Sequence, residues 1–460
     1  MTPNNFAYLV MAVWPFVTFV LLRNYGIGKG ALLALLCSYM FLPARMSIEI
    51  SGLPDLDRFL VTISTIIVYM LFSGALSSLN LLSRVYKVLL FILVLSPIFT
   101  ALSNQERYLF LPGLTLYDGI SSSIITLLNF FPFFIGATYF REENQQIYLF
   151  KTFAIATFVY AFLALYEIRM SPQLHSMMYG YFPHAWGQQY RDGGFRAVVF
   201  MGHGLLVAMF LAVGVTVWTC MFKLKVKVFR FKTGSGLLVV FLTLLLSKSL
   251  AALLYGLLAF VAIKFLSPRK INLVSVLIAI VFITYPILSA TKIFPHQDLV
   301  ELAASVSADR AGSLQYRFDN EHILLEHANE KPWFGWGDWG RNRVFDPETG
   351  QDISTTDGAW IISIGVSGWV GFLSTFLFMI IPIWLIFTKN KRISSIPVQS
   401  QYLISAHSLI VGLIIMDQMP NASINPLYWC VIGSLAGRVH EIISTKYSIN
   451  NVENSDKQAM

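Results

Sequence analysis

Charge is scarce in this chain. Only 13% of its 460 residues are Asp, Glu, Lys or Arg and 56% are hydrophobic, whereas a soluble domain carries roughly 25% charged residues. A water-soluble globular fold is excluded, and the chain reads as an all-α, polytopic membrane protein. Cysteine is scarce too: Cys37, Cys220 and Cys430 all lie inside apolar runs. An odd set so placed builds neither a disulfide framework nor a metal site. Met1 to Asn5 carry no basic stretch and no small-residue cleavage signal before the run Phe6 to Leu22, so that run is expected to be a retained first span. Internal repeats, soluble domains and low-complexity tracts are missing as well. The surplus of 33 Lys and Arg over 25 Asp and Glu is accounted for by cytoplasmic loops, so nucleic-acid binding is not implied.

What is there is a series of apolar runs, about twelve or thirteen, each approaching the ~20 residues that cross hydrocarbon as a helix. They centre on Phe6 to Leu22, Gly30 to Leu42, Phe59 to Leu79, Val88 to Leu102, Gly119 to Phe140, Ile147 to Tyr166, Ala197 to Phe222, Gly234 to Leu246, Leu250 to Leu266, Ile271 to Ala290, Trp360 to Thr388, Tyr402 to Met416 and Leu427 to Gly437. The second and eighth are short for an untilted crossing, and the Trp360 run is expected to begin as an interfacial helix. Cations gather in three short loops: Lys223, Lys225, Lys227, Arg230 and Lys232; Lys264, Arg269 and Lys270; Lys389, Lys391 and Arg392. Such loops stay in the cytoplasm. The chain therefore divides into membrane helices over 1–290 with an outside loop at about 167–196, a large outside loop with amphipathic helices over 291–356, C-terminal membrane helices over 357–443, and a cytoplasmic tail over 444–460.

Ionisable groups at a membrane edge are costly and point to function, so the two outside loops hold the candidate chemistry. The shorter ends in Tyr190-Arg191-Asp192-Gly193-Gly194-Phe195-Arg196 and re-enters through Met201-Gly202-His203-Gly204. Either the arginines snorkel and His203 packs against a neighbour, or the group is an anion site. In the longer loop, Leu314, Phe318, Leu325 and Ala328 recur at helical spacing, which predicts an amphipathic helix near the outer surface. Arg310 and Arg317, seven apart, share one face of it. Two guanidinium forks suit a pyrophosphate; surface ion pairs with Asp309, Asp319 and Glu321 are the competing reading. The His322 to His327 spacing misses both zinc-protease patterns by one residue, and no metal is expected. Trp333, Trp336 and Trp339 alternate with glycines, suiting either sugar rings or the interfacial aromatic belt. Asp357 stands before a helix, as an N-cap or as a base facing an acceptor hydroxyl. The glycines at 365, 368 and 371 predict close approach of a neighbouring helix.

The order of these pieces resembles the superfamily of O-antigen ligases and Wzy-type polymerases, GT-C-like integral-membrane glycosyltransferases. Four stretches carry the resemblance: Gly193-Gly194-Phe195-Arg196 with Gly202-His203-Gly204; the hairpin tip Leu246-Ser247-Lys248-Ser249; Arg317 opening a helix that runs into Lys331-Pro332-Trp333-Phe334-Gly335-Trp336-Gly337; and Asp357-Gly358 before Gly365 and Gly368-Trp369-Val370-Gly371. They cover the C-terminal half or more, and the Arg-helix-Pro-x-x-Gly-x-Gly block is the most specific. Ligases that resemble this chain usually place His before Asn where Asp357-Gly358 stands, and often Ser-Arg where Ser247-Lys248 stands. Asp keeps a base but removes a donor, which favours polymerase over ligase; Lys keeps the charge without the fork.

The resemblance implies a substrate, undecaprenyl-pyrophosphate-linked oligosaccharide, reaching a periplasm-facing site from the outer leaflet of the bacterial inner membrane. An acceptor hydroxyl attacks the anomeric carbon, Arg196 and Arg317 stabilise the departing pyrophosphate, and Asp357 takes the proton. Arg310 and Lys248 are secondary phosphate contacts, and Arg191, His203, Trp333 and Trp336 complete the substrate-binding set. The implied partners are the lipid bilayer and the flippase and chain-length regulator of the same pathway, with no cofactor. The ligase alternative delivers the glycan to lipid A-core or protein. A transporter or flippase of lipid-linked saccharides is a third reading, but its polar groups belong near the midplane, between repeats, whereas here they collect at the outer edge.

Overall fold

A computed structural model describes residues 2–50, 54–79, 83–191, 193–228, 232–305 and 307–458. Asp192 of the first outside loop and Arg230 of the first basic loop lie outside them. The helices are α1 (Asn5–Phe41), α2 (Arg58–Phe72), α3 (Arg84–Leu102), α4 (Leu116–Tyr139), α5 (Glu143–Met170), α6 (Leu174–Tyr179), α7 (Gly204–Lys223), α8 (Thr233–Leu246), α9 (Leu250–Phe265), α10 (Pro268–Ala290), α11 (His296–Ala304), α12 (Ala308–Asn329), α13 (Ala359–Thr388), α14 (Asn390–Ile393), α15 (Val398–Asp417) and α16 (Pro426–Gln458). Among the described residues the named strands form two ladders of two-residue strands, Ser47–Ile48 with Leu56–Asp57 and Tyr190–Arg191 with Gly194–Phe195. The protein is an all-α, multi-pass membrane protein.

Among the described residues, eight helices, α1, α3, α4, α5, α7, α10, α13 and α15, are long and apolar enough to cross a bilayer, while α2, α8 and α9 are apolar but shorter. The first two apolar runs of the sequence are the arms of α1, which breaks at Gly26 with φ 76°. Its second arm turns back so sharply that Gly30 packs on the backbone of Leu21 and Leu22. The run from Phe59 stops being α-helical at Phe72 and ends in a 3₁₀ turn at Ala75–Leu79. The run expected to begin at Ala197 is not helical until Gly204.

α16 is more polar overall, yet its first half is core. Gly433 and Gly437 sit against the backbone of Phe133 and Ala137, and Gly136 of α4 sits against that of Cys430. Small residues four apart let two membrane helices meet backbone to backbone, where dispersion is the main attraction.

The three basic loops gather at one end of the bundle. Lys223 Nζ donates to the Lys264 carbonyl at 2.9 Å, Tyr402 to the Leu266 carbonyl at 3.4 Å, and Arg392 to the Ile443 carbonyl at 2.6 Å. Arg438 pairs with Glu143 there at 3.2 Å. The arginine-rich stretches lie at the other end.

α13 explains the glycine pattern. It breaks at Gly368, φ 63°, and the loop Pro332–Gly337 occupies the break. Trp336 N–H and Gly337 N–H donate to the Gly365 and Val366 carbonyls at 2.8 and 2.9 Å, and Trp369 N–H and Val370 N–H donate to the Pro332 and Trp333 carbonyls at 2.8 and 3.2 Å. The freed helix bonds are thus remade by a loop, and the expected neighbouring helix is not what the glycines admit at this point. A Cβ on Gly368 would lie 2.3 Å from the Trp333 carbonyl, and one on Gly335 would lie 2.6 Å from the Gly368 nitrogen. Gly368→Ala should therefore lower stability by more than ~2 kcal/mol, combining strain at positive φ with the clash. Gly312→Ala, in α12 with open space around it, should raise it by about 0.5–1 kcal/mol; unfolding midpoints in detergent check both.

Candidate active site

The site is built on a stretch of backbone that is neither helix nor strand. Ala197–His203 leads into α7 deep among apolar helices, and its amides and carbonyls need partners that lipid cannot offer. Protein side chains supply them from both sides. The buried carboxylate of Glu167 accepts from Val198 N–H at 2.8 Å, Val199 N–H at 2.7 Å and Leu174 N–H at 2.9 Å. Phe200 N–H donates to Tyr160 Oη at 3.1 Å. The buried guanidinium of Arg58 donates to the Phe200 and Met201 carbonyls at 2.8 and 3.2 Å, and to those of Tyr39 and Leu42 at 3.3 Å each.

Arg196 is thereby held at a fixed height at the entrance to the segment. It is buried, its Cδ lies 2.3 Å from where a Cβ on Gly204 would be, and its Nη2 donates to the Lys248 carbonyl at 3.1 Å. Lys248, φ 55° at the α8–α9 hairpin tip, sends Nζ back to the Arg191 carbonyl at 2.8 Å through space that Gly194 leaves open. Arg191 itself is exposed. His203 caps α7, its Nδ1 accepting from Leu205 N–H at 3.0 Å, and its ring meets that of His184 at 4.5 Å. The charges of Arg196, Arg45 and Arg191 lie within electrostatic range of it. His203 is a cap inside a cationic cluster, with one ring nitrogen committed to the backbone. Arg45, invisible to the motifs, belongs to the same cluster.

The second half is set by α12. Arg317 Nε lies 3.4 Å from Asp357 Oδ2, both groups being partly exposed. The side chain of Asp357 does not cap α13; Gly358 holds the N-cap position. Its place is fixed from both sides. Thr355 N–H donates to Asn320 Oδ1 at 2.7 Å, Thr355 and Tyr316 share a hydroxyl bond of 2.8 Å, and Ala359 N–H donates to the Asn421 carbonyl at 3.1 Å. Arg310 stands two turns before Arg317, exposed. The link between the halves runs along α9: Lys248 precedes it, and Tyr255, further in, lies within electrostatic range of Arg317 and of the buried Asp417. Asp417, at the end of α15, is satisfied by Ser423 Oγ and by Asn421 Nδ2 at 2.8 Å.

Glu321, one turn after Arg317, faces inward. Tyr285 of α10 donates to its Oε2 at 2.5 Å. Burial raises its carboxyl to about 7, against the lowering effects of Tyr285, Trp360 and Arg317 and with a further upward push from Asp357.

The indoles divide. Trp333 is 68% exposed and its face is open. Trp336, expected to contact sugar, is buried: its Nε1–H donates to the His327 carbonyl at 2.8 Å, its ring stacks on His327 at 4.4 Å and meets Tyr108 at 4.8 Å, and Lys331 Nζ sits 4.7 Å from its centroid. Both faces being occupied, it anchors the loop. His327 Nε2 pairs with the Arg341 carbonyl at 2.9 Å. Beside the loop a cavity of about 180 Å³ opens between α3 and α4, with Asp118, Thr126, Asp338, Trp339 and Ser367 on its wall. The 341–356 segment returns to Asp357 by a turn. Arg341 is buried on the Pro112, Glu106 and Trp336 carbonyls; Arg343 pairs with Asp352 at 2.5 Å and Phe345 bridges to Asp352, leaving Asp346–Gln351 as an exposed tip.

A deep arginine, a lysine tip at positive φ and an arginine–aspartate pair thus lie at one end of the helical bundle. Residues 235–376 match the family model described as O-antigen ligase. This stretch, about a third of the chain, is similar to the O-antigen ligase family and supports the ligase and polymerase superfamily that the motifs resemble. A comparison with curated proteins found no match.

Glu167→Gln should lower stability by about 3 kcal/mol, because an amide in place of one oxygen turns a donor toward buried N–H groups. Tyr160→Phe, which leaves Phe200 N–H unsatisfied, should cost about 1 kcal/mol. Chemical unfolding in detergent measures both.

Proposed function

We propose that the protein is a glycosyltransferase of the bacterial inner membrane that joins undecaprenyl-pyrophosphate-linked oligosaccharide repeats into O-antigen, capsule or exopolysaccharide on the periplasmic face. The observation that carries this reading is the placement, at the end of the bundle opposite the basic loops, of Arg191, Arg196 and Lys248 in one cluster and of the Arg317–Asp357 pair in another, linked along α9, whose Tyr255 lies within electrostatic range of Arg317. A donor lying there with its lipid among the helices places its pyrophosphate between the arginines. Negative charge grows on that group as the anomeric carbon leaves it, and charges fixed in advance stabilise it without reorganisation. Arg317 leaves Asp357 for the phosphate; the freed carboxylate receives the hydrogen bond of the acceptor hydroxyl and is the base that the motif supplies. Lys248, Arg310 and Arg191 extend the phosphate contact, and the open face of Trp333 suits a sugar ring. His203 and Trp336 act by holding α7 and the Pro332–Gly337 loop.

Aspartate where ligases usually carry His favours the polymerase. The ligase reading keeps one observation of its own, the O-antigen ligase description of the matching family. Complementation of a deletion strain separates them. Wild type should restore long surface glycans, and Arg317→Ala should lower transfer about 100- to 1,000-fold. Single repeats on the carrier or on lipid A-core, without long chains, identify a polymerase; long chains stalled on the carrier identify a ligase; an unchanged glycan profile sinks both.

A further inference from the structure

Two carboxylates stand at the Arg317 centre, and the motif accounts for only one. Asp357 is partly exposed and tied to Arg317 by its ion pair. Glu321 sits one helical turn from Arg317, where α10, α12 and α13 meet. Tyr285 holds its Oε2 and leaves Oε1 outside that bond, and the ring of Tyr285 in turn packs edge-on against Trp360 at 5.2 Å. We propose that Glu321 is the group on which the acceptor's proton comes to rest, with Asp357 orienting the hydroxyl. This rests on the glycosyl-transfer reading and departs from it only in which carboxylate keeps the proton. In the step, the acceptor oxygen forms its bond to the anomeric carbon as the bond from that carbon to the pyrophosphate oxygen breaks. That electron pair leaves on the pyrophosphate, and the O–H proton passes to Glu321.

Glu321 is held by a tyrosine hydroxyl in a half-dry site, and burial of that kind makes a carboxylate a good proton acceptor. Burial brings Glu321 to about 7, close to the pH at which an acid–base group works best. The groups facing it are Tyr285 and, behind it, Ser289 from α10; Arg317 from α12; Asp357 from the approach to α13; and Trp360 from α13. His296 of α11 packs on Phe318 instead, and His322 turns to Glu326 at 3.2 Å.

A base must be ionised to act, so the rate should rise with pH through about 7. Each neighbour moves this limb in a sign that a merely structural glutamate does not share. Tyr285→Phe removes a bond that favours the ionised form, and the limb should move to higher pH. Asp357→Asn removes a like charge, and the limb should move to lower pH while the maximal rate falls.

The experiment uses the full-length protein in nanodiscs and lipid-linked oligosaccharide isolated from a strain deleted for it, with transfer followed from pH 5.5 to 9. Glu321→Gln should lower kcat about 100-fold, abolish the limb and leave KM for the donor within about twofold. Tyr285→Phe retains the carboxylate and keeps the test decisive if Glu321→Gln folds poorly. A limb that persists in Glu321→Gln and vanishes in Asp357→Asn overturns the proposal, as does a Tyr285→Phe profile identical to wild type. Wild type that transfers nothing sinks the transfer reading and the role of Glu321 with it; an active wild type with an unaffected Glu321→Gln sinks the role alone.

Discussion

The site depends on one requirement: seven residues of unwound backbone must be hydrogen-bonded where neither water nor helix serves them. Glu167 takes the amides of Val198 and Val199, Tyr160 that of Phe200, and Arg58 the carbonyls of Phe200 and Met201. A buried carboxylate and a buried guanidinium are each expensive alone. Here each is offset by several charge-assisted bonds to the same short segment, so anion, cation and backbone stabilise one another. Arg196 owes its depth to this arrangement, and through Arg196 the hairpin tip at Lys248 is fixed as well.

The other half obeys the same constraint by a different route. Where α13 is broken at Gly368, the Pro332–Gly337 loop supplies the missing bonds with its own main chain. Two glycines face each other across that contact because neither strand can carry a Cβ there. Arg317 lies upstream of the loop and Asp357 stands just before the broken helix, so the seam holds the scaffold of both. The aromatic stack of Tyr108, His327 and Trp336 closes the seam from above.

Much of the bundle was legible in the sequence because apolar length is a local property. The start of α7 was not: Ala197 to Met201 is as apolar as a helix, and the groups that keep it unwound are Glu167, some thirty residues earlier, and Arg58, in another helix altogether. Arg317 and Asp357 were recognisable as chemistry-bearing residues, but their pairing was not, since Asp309, Asp319 and Glu321 are all nearer in the chain. Trp336 looked like a sugar platform because nothing local says that His327 and Tyr108 take its faces. Glu321 was visible only as a surface acid one turn from Arg317, and its burial comes from α10, whose Tyr285 is 36 residues away. Arg45 fell outside every motif for the same reason.

The turn at Asp346–Gln351 hangs from a rigid base. Arg341 is bolted to the carbonyls of Pro112, Glu106 and Trp336, and Thr355 is bolted to Asn320, so the chain between them closes on itself before it reaches the site. Added length at such a tip costs little, since loop-closure entropy grows only logarithmically. The tip is therefore a natural port for an epitope or a fluorophore, from which the assembly state and neighbours of the enzyme could be followed in living cells while its catalytic geometry stays as it is.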